Sequence, residues 1–96
     1  MSVIGQTEDG KPVVSGLFEL MSSVLGVPLE FLLNMLNKRD MVVSWTDFYD
    51  SSVKHCWKYS TTRERISTSV FEEYGPVYRD EVIKRLDFYH SVKSKI

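Results

Sequence analysis

Four side chains with metal-ligand chemistry recur at matched spacing: Asp47-x-x-Asp50 and, 40 residues later, Asp87-x-x-His90. Residues three apart share a helix face. Two helices that each project such a pair inward are how helical bundles hold a pair of metal ions, and carboxylate with imidazole would suit iron or manganese. Periodicity argues otherwise. It sets Asp47 and Asp50 away from the stripe of Trp45, Tyr49, Val53 and Cys56, on a face expected to be solvated. A dimetal site also wants more ligands than these. No metal and no cofactor are therefore expected. His55-Cys56 does not make a nucleophile and base either, because neighbours on a helix diverge by about 100°. Cys56 falls in the apolar stripe, where a thiol acts as a small hydrophobe. With no Gly-rich phosphate loop and no nucleophile elbow, no catalytic residue is assigned and the chain does not read as an enzyme.

Binding chemistry is better represented. Thr61-Thr62-Arg63-Glu64-Arg65 places two arginines at a helix start, where backbone amides assist an anion or an acidic partner. Lys58 extends the basic patch, and Trp57 and Tyr59 adjoin it. That mix could stack single-stranded nucleic acid, and it equally suits a protein hot spot. The plainer reading is a capped, solvated first turn.

Ser22, Gly26, Leu32 and Met35 have the spacing of a helix-turn-helix, which this stretch resembles. The resemblance implies a DNA-binding regulator using residues 17–38. The second helix would offer Pro28, Leu29, Glu30, Phe31 and Leu33 at its start. None is a usual base reader, and Glu30 would repel phosphate. A tight corner at Gly26-Val27-Pro28 explains the same residues. Nucleic acid is the less favoured partner but stays open.

The elements that must carry these groups include a repeat. Residues 39–51 and 79–91 align without a gap, with seven of thirteen pairs identical. Self-similarity of this kind can set an architecture, and it predicts one amphipathic helix occurring twice. Met41-Val42-Val43 alone would pass for a short strand, and Ser44-x-x-Asp47 looks like a capping box. The second copy, however, reads helically through Glu81-Val82-Ile83-Lys84, so the first is expected to be helical from about Asp40.

The rest follows from periodicity and punctuation. A first helix should begin near Ser15 and carry Leu17, Phe18, Met21, Val24 and Leu25, with Gly26 as a left-handed cap. A second, apolar nearly all round, spans 28–37. A fourth is capped at Thr61 and ends at Gly75-Pro76, and a fifth runs to about Lys93. Residues 1–14 form a flexible or extended segment or a loose hairpin turning at Asp9-Gly10, with Pro12 confining its strand to an edge.

Composition sets limits. The chain has 96 residues, 43% apolar and 26% charged, and a net charge of −1 from 12 basic and 13 acidic side chains. So weak a field does not draw in a polyanion. Cys56 is the sole cysteine, which fits a reducing compartment, and no apolar run approaches the ~20 residues of a membrane span. The expectation is a cytoplasmic, all-α compact bundle or orthogonal array of about five short helices, with residues 15–96 as one domain. It would bind another protein as a regulator, inhibitor or assembly factor. Leu29, Phe31, Leu33, Phe48, Trp57, Arg63, Arg65 and Phe88 would form the surface, and a homodimer is one form of the partner.

Overall fold

Val42 and Val43 belong to a sheet. The computed structural model describes residues 1–95; Ile96, the end of the expected helical domain, lies outside the described residues. The chain runs β1 (Ser2–Gln6), β2 (Pro12–Ser15), α1 (Leu17–Ser22), α2 (Leu29–Lys38), β3 (Val42–Val43), α3 (Trp45–Lys54), α4 (Tyr59–Tyr74) and α5 (Pro76–Lys93). Helices make up 63% and a three-stranded mixed sheet 12%, so the fold is α+β and mostly helical. The all-α expectation is corrected. The duplicated rod fails at the same place, since Val42-Val43 is strand while the matching Val82-Ile83 lies inside α5. A binding role can no longer be argued from a repeated helix.

The cause is local. Asp40 takes a left-handed conformation, φ 58°, which Asp tolerates better than most residues. The Met41 amide then donates to the Leu36 carbonyl at 2.9 Å and closes α2. The two β-branched valines that follow pair in parallel with Val13 and Val14. The Ser44 amide extends this contact to the Val14 carbonyl at 2.9 Å, and Ser44 Oγ caps α3 by accepting from the Asp47 amide at 3.3 Å.

β1 and β2 form the antiparallel hairpin, with Gly10 at φ 85° in its turn. β2 is the central strand, not an edge. Pro12 is tolerated there because it is the first residue of β2 and β3 reaches only Val13 and Val14.

Several helix ends depart from the periodic reading. α1 starts at Leu17, behind a left-handed Gly16 (φ 90°) whose amide donates to Asp47 Oδ2 at 3.0 Å. It stops at Ser22, so Val24 and Leu25 leave the helix and are exposed. α3 stops at Lys54; Cys56 lies beyond it at φ 62° and is exposed, not buried in a stripe. α4 begins at Tyr59, before the expected Thr61 cap.

The core joins Val14 of the sheet to Phe18, to Leu29, Leu32, Leu33 and Leu36 of α2, to Phe48, and to Ile66, Val70 and Leu86 of α4 and α5. No helix among the described residues is long and apolar enough to cross a membrane. Leu33 is wholly buried while Phe31, two residues earlier, is 61% exposed. Leu33→Ala should cost about 3 kcal/mol and Phe31→Ala less than about 0.5 kcal/mol in urea denaturation. Equal losses would contradict this placement of α2.

Candidate functional site

Leu33 and Phe48 are fully buried and offer no surface to a partner, and Leu29, although it lies beneath the groove between α1 and α2, has no exposed surface either. Apolar type suits a core and a surface anchor alike, and here the core took them. Phe31 and Phe88 are exposed but lie on different helices; Phe88 sits with Glu81, Lys84 and Arg85 on α5. Arg63 is committed to Asp87, through Nε at 2.9 Å and Nη2 at 3.2 Å.

Trp57 and Arg65 are the two expected residues that the fold brings together as accessible groups. They border a groove of about 380 Å³ with Met21, Val27, Pro28 and Glu30. Its construction is visible in the backbone. Ser22 and Ser23 turn their hydroxyls onto the Phe18 and Leu20 carbonyls and end α1. Gly26 takes φ 57°, a conformation costly for other residues. The Val27 amide returns to the Leu20 carbonyl at 3.3 Å. Across the groove, the left-handed turn at Cys56 lets the Trp57 amide reach the Ser52 carbonyl at 2.9 Å. The indole then meets Phe18 edge-on, centroids 5.0 Å apart. Arg65 has no ion-pair partner among the described residues. Val24 and Leu25, next to Gly26 in the chain, are fully exposed and 88% exposed. Their helical spacing hid them, because it assumed an α1 one turn longer than the real one.

Asp47, Asp50 and His90, whose types could ligate a metal, are engaged in hydrogen bonds within the fold. Asp47 accepts from Gly16, and Asp50 accepts from Tyr89 Oη at 3.0 Å through each oxygen. His90 Nδ1 shares a 2.7 Å hydrogen bond with Tyr49 Oη. The His90 ring stacks on Tyr59 at 3.9 Å, and Tyr59 in turn donates to Asp87. The Tyr49, Tyr59, His90, Asp87 and Arg63 network thus ties α3 and α4 to α5. Burial first, then the bond to Asp87, pushes the Tyr59 hydroxyl well above its ordinary pKa. Burial and the bond to Asp50 also raise the Tyr89 pKa, against the lowering effect of Lys93. These hydrogen bonds and the stacked rings brace α3 and α4 against α5. Among the described residues no group of three or more His, Cys, Asp or Glu side chains could hold a metal ion.

Two polar side chains of the helix-turn-helix-like stretch are engaged within the fold, while Lys38 and Arg39 at its end are exposed. Asn34 Nδ2 and Asn37 Nδ2 both donate to Glu73 of α4, at 3.0 Å each, which lowers the Glu73 pKa. A carboxylate lying over this face of α2 would meet phosphate oxygen with like charge.

No family model, no curated protein and no solved structure matches this chain.

Arg63 hydrogen bonds hold the Asp87 carboxyl below its ordinary 3.8, assisted by Tyr59 and opposed by burial. A folded pKa below the unfolded one contributes stability that is complete above the unfolded value and lost as pH falls through the folded value. Because both partners are nearly half exposed, Asp87→Asn should cost only about 1 kcal/mol near neutral pH. The gap to the parent should close as pH drops below 3.8. Thermal unfolding across the acid range checks this, and a gap independent of pH would refute it.

Proposed function

We propose that this chain is a non-enzymatic binding module that docks another protein at the corner between α1 and α2, as a regulator, inhibitor or assembly factor. One observation carries the reading: Val24 and Leu25 stand almost wholly in water just before Gly26 in the chain, and Gly26 lines a groove bordered by Trp57 and by an Arg65 that has no ion-pair partner among the described residues. Single exposed apolar residues are ordinary, but contiguous apolar surface rimmed by polar groups marks interaction sites. Trp and Arg are the residue types that most often dominate binding energy. The matching partner is a segment with an apolar side chain for the groove and a carboxylate for Arg65. The occupied Tyr, His and Asp groups speak for binding over catalysis, and Glu73 over Asn34 and Asn37 speaks against DNA.

Cys56 is exposed, is the sole cysteine and precedes Trp57, so it can carry a photo-activated cross-linker at the groove. In extract of the native cell the labelled protein should give a discrete adduct. Leu25→Ser and Arg65→Glu should each cut its yield about tenfold, while Phe88→Ser leaves it unchanged. Light scattering over a concentration series distinguishes a second copy from a foreign partner. An adduct indifferent to both corner substitutions, or lost equally with Phe88→Ser, would overturn the proposal.

A further inference from the structure

Ser22 and Gly26 both line the groove at the α1–α2 corner, so the turn between them begins and ends on its rim. That turn carries Val24 and Leu25, fully exposed and 88% exposed. It is fixed before any partner arrives. The Gly26 amide donates to the Ser23 carbonyl at 2.9 Å, and the Val27 amide to the Leu20 carbonyl at 3.3 Å. Apolar side chains held out in water by a closed turn lose little backbone freedom on docking. The groove they adjoin is apolar as well, through Met21, Val27, Pro28 and Trp57, each at least partly exposed. One corner of the chain thus supplies both a projection and a receptor of matching character.

The charges repeat this self-matching. Glu30 and Arg65 also line an adjoining depression of about 320 Å³, with Thr61, Glu64 and Thr68 of α4. Glu30 accepts from the Ser69 hydroxyl at 3.0 Å. Glu64 and Arg65 have no ion-pair partner among the described residues. A rim with one unpaired base and one unpaired acid complements a copy of itself under two-fold symmetry, where residue i meets j and j meets i. The net charge of −1 leaves two copies without long-range repulsion.

Resting on the reading of this corner as a docking surface, we propose that its occupant is a second copy of the same chain. A two-fold axis at the rim seats Val24 and Leu25 of each copy in the other's groove, against Trp57, and sets each Arg65 on the other's Glu64. The resulting contact is apolar at its centre and polar at its rim, as stable interfaces are.

Sedimentation equilibrium of the purified full chain tests this. The protein should pass reversibly from monomer to dimer as its concentration rises. Leu25→Asp and Arg65→Glu should each weaken the dimer about tenfold. Both positions are exposed, so thermal unfolding of the dilute monomer should be unchanged. Glu64→Arg combined with Arg65→Glu reverses both charges and should recover the parent's dimer. A parent that stays monomeric up to about 1 mM, a dimer indifferent to Leu25→Asp, or an Arg65→Glu loss that the double variant does not recover would each overturn the proposal. The docking reading fails separately. A monomeric parent whose adduct in native extract still falls with Leu25→Ser and Arg65→Glu keeps the corner as a docking surface and removes only the second copy as its occupant.

Discussion

Phe18 is the side chain on which the arrangement depends. Its ring lies edge-on to Phe48 at 5.2 Å and to Trp57 at 5.0 Å, and Phe48 meets Trp45 edge-on at 5.7 Å. Edge-to-face geometry sets the positive rim of one ring on the negative face of the next, which orients the rings as well as burying them. α1 has six residues and could not persist alone; the Phe18 contacts hold it against α3. Both tryptophans of the chain lie at the ends of this aromatic series, and each borders a concavity. Shifting Phe18 would disturb both concavities at once, although neither contains it.

The repeat shows how a long-range pattern can mislead where short-range chemistry does not. Val42-Val43 and Val82-Ile83 are nearly the same dipeptide in different structures. The difference was legible nearby. Ser44-x-x-Asp47 restarts a helix in the first copy, whereas Lys84 at the matching position cannot cap one. The first copy also follows a helix that must end, and Asp40 supplies the left-handed stop. The second follows Gly75-Pro76, which starts a helix that then meets no interruption. What no local signal contained was the parallel partner, since Val13-Val14 lies far back in the chain.

The candidate groove was legible in residue type and illegible in assembly. Trp57 and Arg65 stand out because indole and guanidinium groups are enriched where binding energy is concentrated. Their neighbours Met21, Val27 and Pro28 come from the corner before α2, and only tertiary packing brings these together. Leu29 and Leu33 stood out for hydrophobicity, but α4 packs on α2 and buries them. The stripe through Val53 and Cys56 failed for a simpler reason. It was counted past Lys54, where the helix ends, which removes Cys56, while Val53 lies within α3 but on its exposed side. Periodicity says which residues share a face only while the helix lasts. Trp45 Nε1 is buried without a hydrogen-bond partner, and this had no sequence signature at all, because an unmet hydrogen bond is defined by what surrounds the group.

The sheet owes its place to position more than to core. Every residue of β1 is exposed, and β2 contributes one fully buried side chain, Val14. An uncharged edge strand carrying exposed Val3 and Ile4 would ordinarily invite pairing with another chain. The register shift between Val3 and Gly5 interrupts the ladder, one of the devices that blunt such an edge. On the other side, β3 is two residues long and gives way at once to the Ser44 cap of α3. So short an edge provides little template for a further strand. Its outer side therefore borders α5 across open space, and the cleft there exists because Ser44 turns the chain into a helix before the sheet can grow.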